Sequence, residues 1–426
     1  MNMKVDRLEN GLMYVLYPLE ANYLAIHLEA FAGSMNEVKK SSAHLLEHTL
    51  FSGTDNMTAR DINDILAFNA PVRENATADY DIMDINALTT WGRAKKIIKL
   101  FGDISYRSIF PEEAVSKEKE TIQVETNSMR EDVTTGGAIR AVKSLFKDRK
   151  IEEVFDLPTD EEIDSLSRDD VIKEYNDFFK PNNMVLTLYG RFEQSDAEKA
   201  IYESFSPLEG KSKPIDFSEI KADGRRKNIN IAYDSMYNAE AILTFPAPVY
   251  RIDNDKERTN ISVIIDIIEK RLERSLREDN GLVYYVSAEY APLLRIGYIN
   301  INMQSRHEKF KRAKELMYKE IEKLHRGEID ADEIEKHKEM LFDAEMIEEY
   351  IDPLDSSKIV GSANLLYRLL SDDKETYTHD IAEMPDVTLD SIREAADKYM
   401  DLDRSVTVSM RRKGSSVEYT EMLSRP

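Results

Sequence analysis

The chain has 426 residues, 42% of them hydrophobic, and 81 acidic against 58 basic side chains give a formal net charge of −23. That length exceeds one ordinary core and points to two or three domains. The acidic surplus argues against nucleic acid or an anionic membrane as partner, no run of about 18 apolar residues offers a membrane span, and the absence of cysteine excludes disulfides, thiolate ligands and a cysteine nucleophile.

The start, "MNMKVDRLENGLMYVLYPLE", has no basic segment followed by an apolar one. It reads as two short strands around a Glu9-Asn10-Gly11 turn, so a cytoplasmic location is expected. "NYLAIHLEAFAG" and "ATADYDIMDINALT" alternate as strands. "TARDINDILAF" and "WGRAKKIIKLFGDISY" read as helices. A long charged helix begins at "PEEAVSKEKETIQVETNSMRED". "MVLTLYGRF" is then a strand and "EQSDAEKAIYESF" a helix. The stretch 206–230 carries Pro207, Gly210, Pro214 and Gly224 among charges and reads as a linker. Beyond it, "AEAILTFPAPV" is a strand and 254–279 a long helix. "GLVYYVSAEYA" and "RIGYININMQ" are paired strands, 309–327 and 330–350 are helices, and "SVTVSMRRK" is a last strand. Residues 414–426 look like a loose tail. The two halves repeat a similar order of strands and long helices, which suggests a duplication.

"SSAHLLEHTLFSGT" places His44, Glu47 and His48 within five positions, in a chain with seven histidines. On a helix, His44 and His48 share a face, with Glu47 bordering it. Leu46, Leu50 and Ala43 turn the other way and can anchor the helix. Two neutral imidazoles and a carboxylate suit Zn²⁺ and leave its fourth position for water. Glu47 cannot easily reach the same ion but can take a proton from that water. The pattern is the inverted zinc-peptidase signature. A surface pair of histidines beside a chance glutamate is the alternative, at roughly 0.01 matches per chain of this composition. The third ligand should be an acid on another element. Val115, Glu118, Ile122, Glu125 and Met129 fall on one helical stripe. Glu120 lies about 140° from Glu125 on the solvated side. Glu118 and Glu125 therefore share the roles of ligand and helper acid.

With these residues in place, the sequence resembles the insulinase/pitrilysin family of zinc peptidases, which includes mitochondrial processing peptidase. "AHLLEHTLFSGT" is similar to that family's zinc helix. The resemblance implies a glutamate ligand 77 residues beyond His48, which selects Glu125. It implies a helper acid seven residues earlier, at Glu118. "ENATADY" resembles the family's substrate-holding edge strand, making Asn75 and Ala76 substrate-binding candidates. "FAGSMNE" resembles the strand that approaches the zinc helix. "LREDNGLVYYVSAEY" resembles the family's Arg…Gly-Leu-x-Tyr segment, and Arg277 and Tyr284 match its substrate-contacting pair. Three departures stand out. Ser41 sits where glycine is common, Thr49 replaces a frequent methionine, and "NAPVREN" lacks the usual glycine pair.

The expected architecture is α+β, with two homologous domains that each pack a mostly antiparallel sheet against helices. A zinc-bearing domain spans 1–210, a linker 211–228, and a homologous domain without zinc 229–426. The expected function is a zinc metalloendopeptidase cleaving peptides or unstructured segments. Zn²⁺ would be held by His44, His48 and Glu125, Glu47 would act as general base, and Glu118, Arg277 and Tyr284 would assist. The alternatives are a non-catalytic assembly subunit of the same fold and a zinc hydrolase of a non-peptide bond. The resemblance further implies a homodimer, or a heterodimer with a related subunit.

Overall fold

The computed structural model describes residues 3–71, 73–251, 254–340, 354 and 387–415. They form two compact units. One holds the described residues of Met1–Asn127, Leu157–Asp216 and Glu345–Ile381, the other those of Ser128–Asp156, Phe217–Ala344 and Ala382–Pro426.

The first unit contains β1 (Lys4–Arg7), β2 (Met13–Pro18), β3 (Leu24–Ala30), α1 (Ser42–Thr49), the short pair β4 (Gly53–Thr54) and β5 (Met57–Thr58), α2 (Ala59–Asn69), β6 (Arg73–Ala78), β7 (Met83–Thr89), α3 (Trp91–Arg107) and most of α4 (Glu112–Glu131). Two further helices follow, α5 (Val133–Phe146) and α6 (Arg149–Phe155). They precede the 211–228 stretch in sequence, yet they belong to the second unit. The chain returns to the first unit with α7 (Asp160–Asp164), α8 (Arg168–Phe178), β8 (Met184–Gly190) and α9 (Gln194–Phe205). The six-stranded sheet runs β1-β2-β8-β3-β7-β6, antiparallel except where β2 meets β8. Period-two alternation on β3 sends Leu24, Ile26 and Leu28 into the helix-covered core. His27 and Glu29 lie on the other face and are also buried. His27 Nδ1 pairs there with Asp84 Oδ1 at 2.8 Å.

The second unit contains β9 (Lys227–Tyr233), β10 (Ala239–Pro246), α10 (Asp255–Leu272), β11 (Val283–Pro292), β12 (Gly297–Ser305), α11 (Phe310–His325), α12 (Leu389–Tyr399) and β13 (Val406–Arg412). Its sheet runs β11-β12-β10-β13-β9, again with one parallel pair, β13 beside β9. Substituting β6, β7, β3, β8 and β2 for those five strands reproduces the first sheet without β1. The order, the chain sequence and the position of the parallel pair all agree, so the two domains are homologous in fold. The helix expected over 330–350 is present at 331–340; residues 341–350, and 416–426 of the tail, lie outside the described residues. The helix expected over 254–279 ends differently. After Leu272 its hydrogen bonding widens into a π turn, Glu273–Glu278.

Helix α3 packs against α9, with Gly102 at a close approach to the Ser204 backbone. A Cβ there would lie 2.5 Å from the Ser204 carbonyl oxygen. Alanine usually improves a helix by about 0.5–1 kcal/mol over glycine. Here the backbone clash should reverse the sign, and Gly102→Ala should cost about 1–3 kcal/mol by urea denaturation. An equally stable variant would mean the helices part without cost.

Candidate metal centre

The two turns of α1 present His44, Glu47 and His48, while Leu45, Leu46 and Ala43 are buried in the first core. Glu125 arrives from α4, whose Val115 and Ile122 are buried while Glu120 and Met129 are exposed. The Nε2 atoms of His44 and His48 lie 3.1 Å apart. Glu125 Oε2 is 3.4 Å from each of them. Donors bound about 2.0–2.1 Å from a tetrahedral Zn²⁺ are roughly 3.3–3.4 Å from one another. The triangle therefore matches three vertices of such a site. Among the described residues, it is the only group of three or more such side chains whose donor atoms converge this way.

Neighbouring groups orient the donors. Glu118 Oε2 lies 3.1 Å from His48 Nδ1. With the Nδ1 proton given to this carboxylate, the Nε2 lone pair faces His44 and Glu125. Burial, reinforced by His48, lowers the His44 pKa. The ring is then neutral at physiological pH, the state that can ligate a cation. Glu47 Oε2 accepts a 2.9 Å hydrogen bond from the Ala78 amide at the end of β6. Burial raises the Glu47 pKa, and the Ala78 bond and His48 oppose that shift. A carboxylate held this way can take and release a proton nearer neutrality.

The other residues expected at the site are placed as follows. Asn75 and Ala76 lie on β6, the edge strand of the first sheet. Asn75 is exposed and Ala76 half-buried. Arg277 and Tyr284 belong to the second unit. Arg277 sits in the π turn, 3.5 Å from Glu273. Tyr284 is the extra residue of a β-bulge where β11 slips against β12, and 78% of it is exposed. Both positions interrupt regular backbone, as residues that re-aim a side chain often do.

One residue escaped the sequence reading. Ser41, before α1, has a φ of 66° and makes no side-chain cap. The helix start is held from α8 instead. Glu174 Oε2 accepts from the Ser42 hydroxyl at 2.6 Å and from the Val38 amide at 2.7 Å. Glu174 is fully buried, and burial pushes its carboxyl up to about 7. The signal was present: Glu174 shares one stripe with the buried Val171, Tyr175 and Phe178.

Two family descriptions match the sequence. "Insulinase (Peptidase family M16)" covers residues 21–138, and "Peptidase M16 inactive domain" covers residues 165–341. The chain belongs to peptidase family M16. An uncharacterized zinc protease of Rickettsia bellii (strain RML369-C) is 27% identical over 79% of this chain and 81% of its own. The zinc protease PqqE of Helicobacter pylori is 23% identical over 95% of this chain and 91% of its own. The fold matches a Pseudomonas fluorescens structure described as a peptidase M16 inactive domain. The TM-score is 0.83, with 17% identity, over 97% of this chain and 98% of that one. A Helicobacter pylori protease structure matches at a TM-score of 0.78, with 18% identity, over 96% and 99%. Among the described residues no helix is long and apolar enough to cross a membrane.

The strand correspondence gives a physical reason for the word "inactive" in the second M16 domain. Helix α10 lies between β10 and β11 as α1 lies between β3 and β6. Glu269 Oε2 accepts from the Ala288 amide of β11 at 2.7 Å, just as Glu47 accepts from Ala78 of β6. With these glutamates aligned, His44 and His48 correspond to Asp266 and Lys270. Asp266 is paired with His337 Nδ1, and Lys270 lies 3.6 Å from Glu273. An ammonium and an acid already paired with a histidine replace two imidazoles. The strand-holding bond persists where the ligand set does not.

Glu174 has a testable pH signature. Its folded pKa, about 7, lies above the ordinary glutamate value of 4.5. Its stabilising contribution is therefore complete below about pH 4.5 and is lost as pH rises through about 7, by on the order of 3 kcal/mol. Glu174→Gln keeps an acceptor for Val38 and Ser42 but cannot ionise. Its thermal stability should rise relative to the parent chain between pH 5 and 8. Parallel profiles for the two proteins would refute this.

Proposed function

We propose that this chain is a zinc metalloendopeptidase acting on peptides or unstructured segments. The supporting observation is the donor triangle of His44, His48 and Glu125, with Glu47 beside it and held by the Ala78 amide. Relatives described as zinc proteases support the same reading. Zn²⁺, when bound, supplies a Lewis acid that acidifies water and polarises the scissile carbonyl.

The chain's own groups do the rest. His44, His48 and Glu125 hold the ion, and Glu118 fixes the tautomer of His48. Glu47 takes the proton of the attacking water and delivers it to the amine that leaves, so one carboxylate serves as base and then as acid. Substrate adds in extended form along β6 at Asn75 and Ala76, using main-chain hydrogen bonds that an edge strand leaves free. Arg277 and Tyr284 steady the substrate or its developing negative charge, a role that rests on the resemblance of their segment.

Metal analysis combined with peptide cleavage separates these roles. The parent chain should carry one Zn²⁺, and His44→Ala and Glu125→Gln should lose it along with activity. Glu47→Gln should keep the metal but lose activity by roughly 10²–10⁴-fold, because an amide accepts no proton. Full activity in Glu47→Gln would remove the proposed base, and undiminished zinc in His44→Ala would remove the ligand set.

We further propose a homodimer. One chain carries both the zinc ligands and the Arg277–Tyr284 pair, so two identical chains need no complementary subunit. A heterodimer with a related chain is the alternative. Sedimentation at micromolar concentration, run beside the cleavage assay, should show activity in the dimer. An active monomer would overturn the proposal, and activity only with a different subunit would establish the heterodimer.

A further inference from the structure

Far along the chain from the zinc motif, the second unit gathers cations in an otherwise acidic protein. Helix α11 places Phe310, Lys314 and Tyr318 four residues apart on one face. Strand β13 turns Thr407, Ser409 and Arg411 toward the same region. Tyr318 donates to the Thr407 hydroxyl at 2.8 Å, and Lys314 Nζ donates to the Ser409 hydroxyl at 3.3 Å. Lys314 and Arg411 lie 5.6 and 5.7 Å from the centre of the Phe310 ring. Arg226 lies 5.6 Å from that of Tyr318.

Among the described residues no acid forms an ion pair with Lys314 or Arg411. The acid that Arg226 reaches among the described residues is Asp403, at 3.4 Å, and Asp403 is 85% exposed. Burial, reinforced by Arg411 and Arg226, lowers the Lys314 amine to about 8. Like charges packed together at this cost mark functional sites more often than chance surface. Beside them, β9 is the outer strand of the sheet, with Asn228 and Asn230 exposed opposite Thr407 and Ser409. A ligand can therefore approach from solvent.

We propose that Lys314, Arg411 and Arg226 form an anion site that takes a phosphate group, free or carried on a small ester. Three cations are matched better by a dianion than by a single carboxylate, and charge-assisted bonds to phosphate suit arginine geometry. Asn228 and Asn230 offer additional donors at the open edge. The site uses none of the residues assigned to peptide cleavage.

Calorimetric titration of the full chain, stripped of metal by chelator and desalted, tests this with inorganic phosphate and glycerol 3-phosphate. One saturable site is expected. It should weaken roughly tenfold or more in Lys314→Met and in Arg411→Met. Methionine keeps the apolar contact with Phe310, and a cooperative melt checks that each variant is folded. Carbon-13 methylation of the lysines provides a second readout, because bound phosphate should move the Lys314 titration upward. Binding of both ligands would mean that free phosphate suffices, and binding of the ester alone would make the ester the ligand. No saturation by about 10 mM of either ligand, unchanged affinity in both variants, or equal affinity for acetate would overturn the proposal.

Discussion

Fully buried Glu174 decides where α1 begins. Several of the described helices start on a side-chain cap: Thr58 with Asp61, Thr159 with Glu162 and Ser167 with Asp170 each close a capping box. The N-cap residue of α1, Ser41, is left-handed and makes no such bond, and among the described side chains only Glu37 Oε2 accepts from a first-turn amide, that of Ala43, at 3.4 Å. Eight residues cannot sustain a helix by themselves. Glu174 gathers the Val38 amide and the Ser42 hydroxyl, and the Leu45 and Leu46 side chains seal the underside. At the other flank, Glu47 grips the Ala78 amide. His44 and His48 gain their common direction because the short helix between these two carboxylates has no freedom to roll.

The repeated sheet topology separates what the fold needs from what the site needs. Both domains keep a glutamate that reaches from the first long-connection helix to the amide of the edge strand. Only one keeps imidazoles around it. The glutamate-to-strand bond is therefore an architectural device on which chemistry was built, or from which it was lost. In the second domain Asp266–His337 and Arg271–Glu333 join α10 to the helical stretch at 331–340. Side-chain pairs there make the crosslink that a metal would make in the first domain.

Much of this was legible in the sequence. His44, Glu47 and His48 announced themselves because their spacing has one obvious use. Glu118 and Glu125 followed because two acids on a stripe with Val115 and Ile122 are out of place. Many of the strands were readable from alternation and the long helices from period, while α6, α7, α8, α12 and β9, which begins inside the expected linker, went unread. Three further features were not legible. The stripe of α5 shows that one face is apolar, but not that the face belongs to β10 and β13 rather than to the preceding sheet. Glu174 lies on an apolar stripe, but its partners are 132 and 136 residues away, so the stripe alone does not say what the carboxylate holds. The π turn at Arg277 and the bulge at Tyr284 are departures of one residue from regular pairing, which periodicity is too coarse to register.

The bond from Glu47 to Ala78 makes the two oxygens of one carboxylate unequal. Oε2 is committed to a backbone amide, while Oε1 has no hydrogen bond within the described residues. The free oxygen is thereby aimed, since turning the group end over end would break a bond to the sheet. A lone carboxylate on a flexible stem would spend its time among several rotamers. Here the edge strand acts as a clamp on the carboxylate, so under the proposed function the same β6 that would receive a peptide would also set the angle from which its bond is attacked.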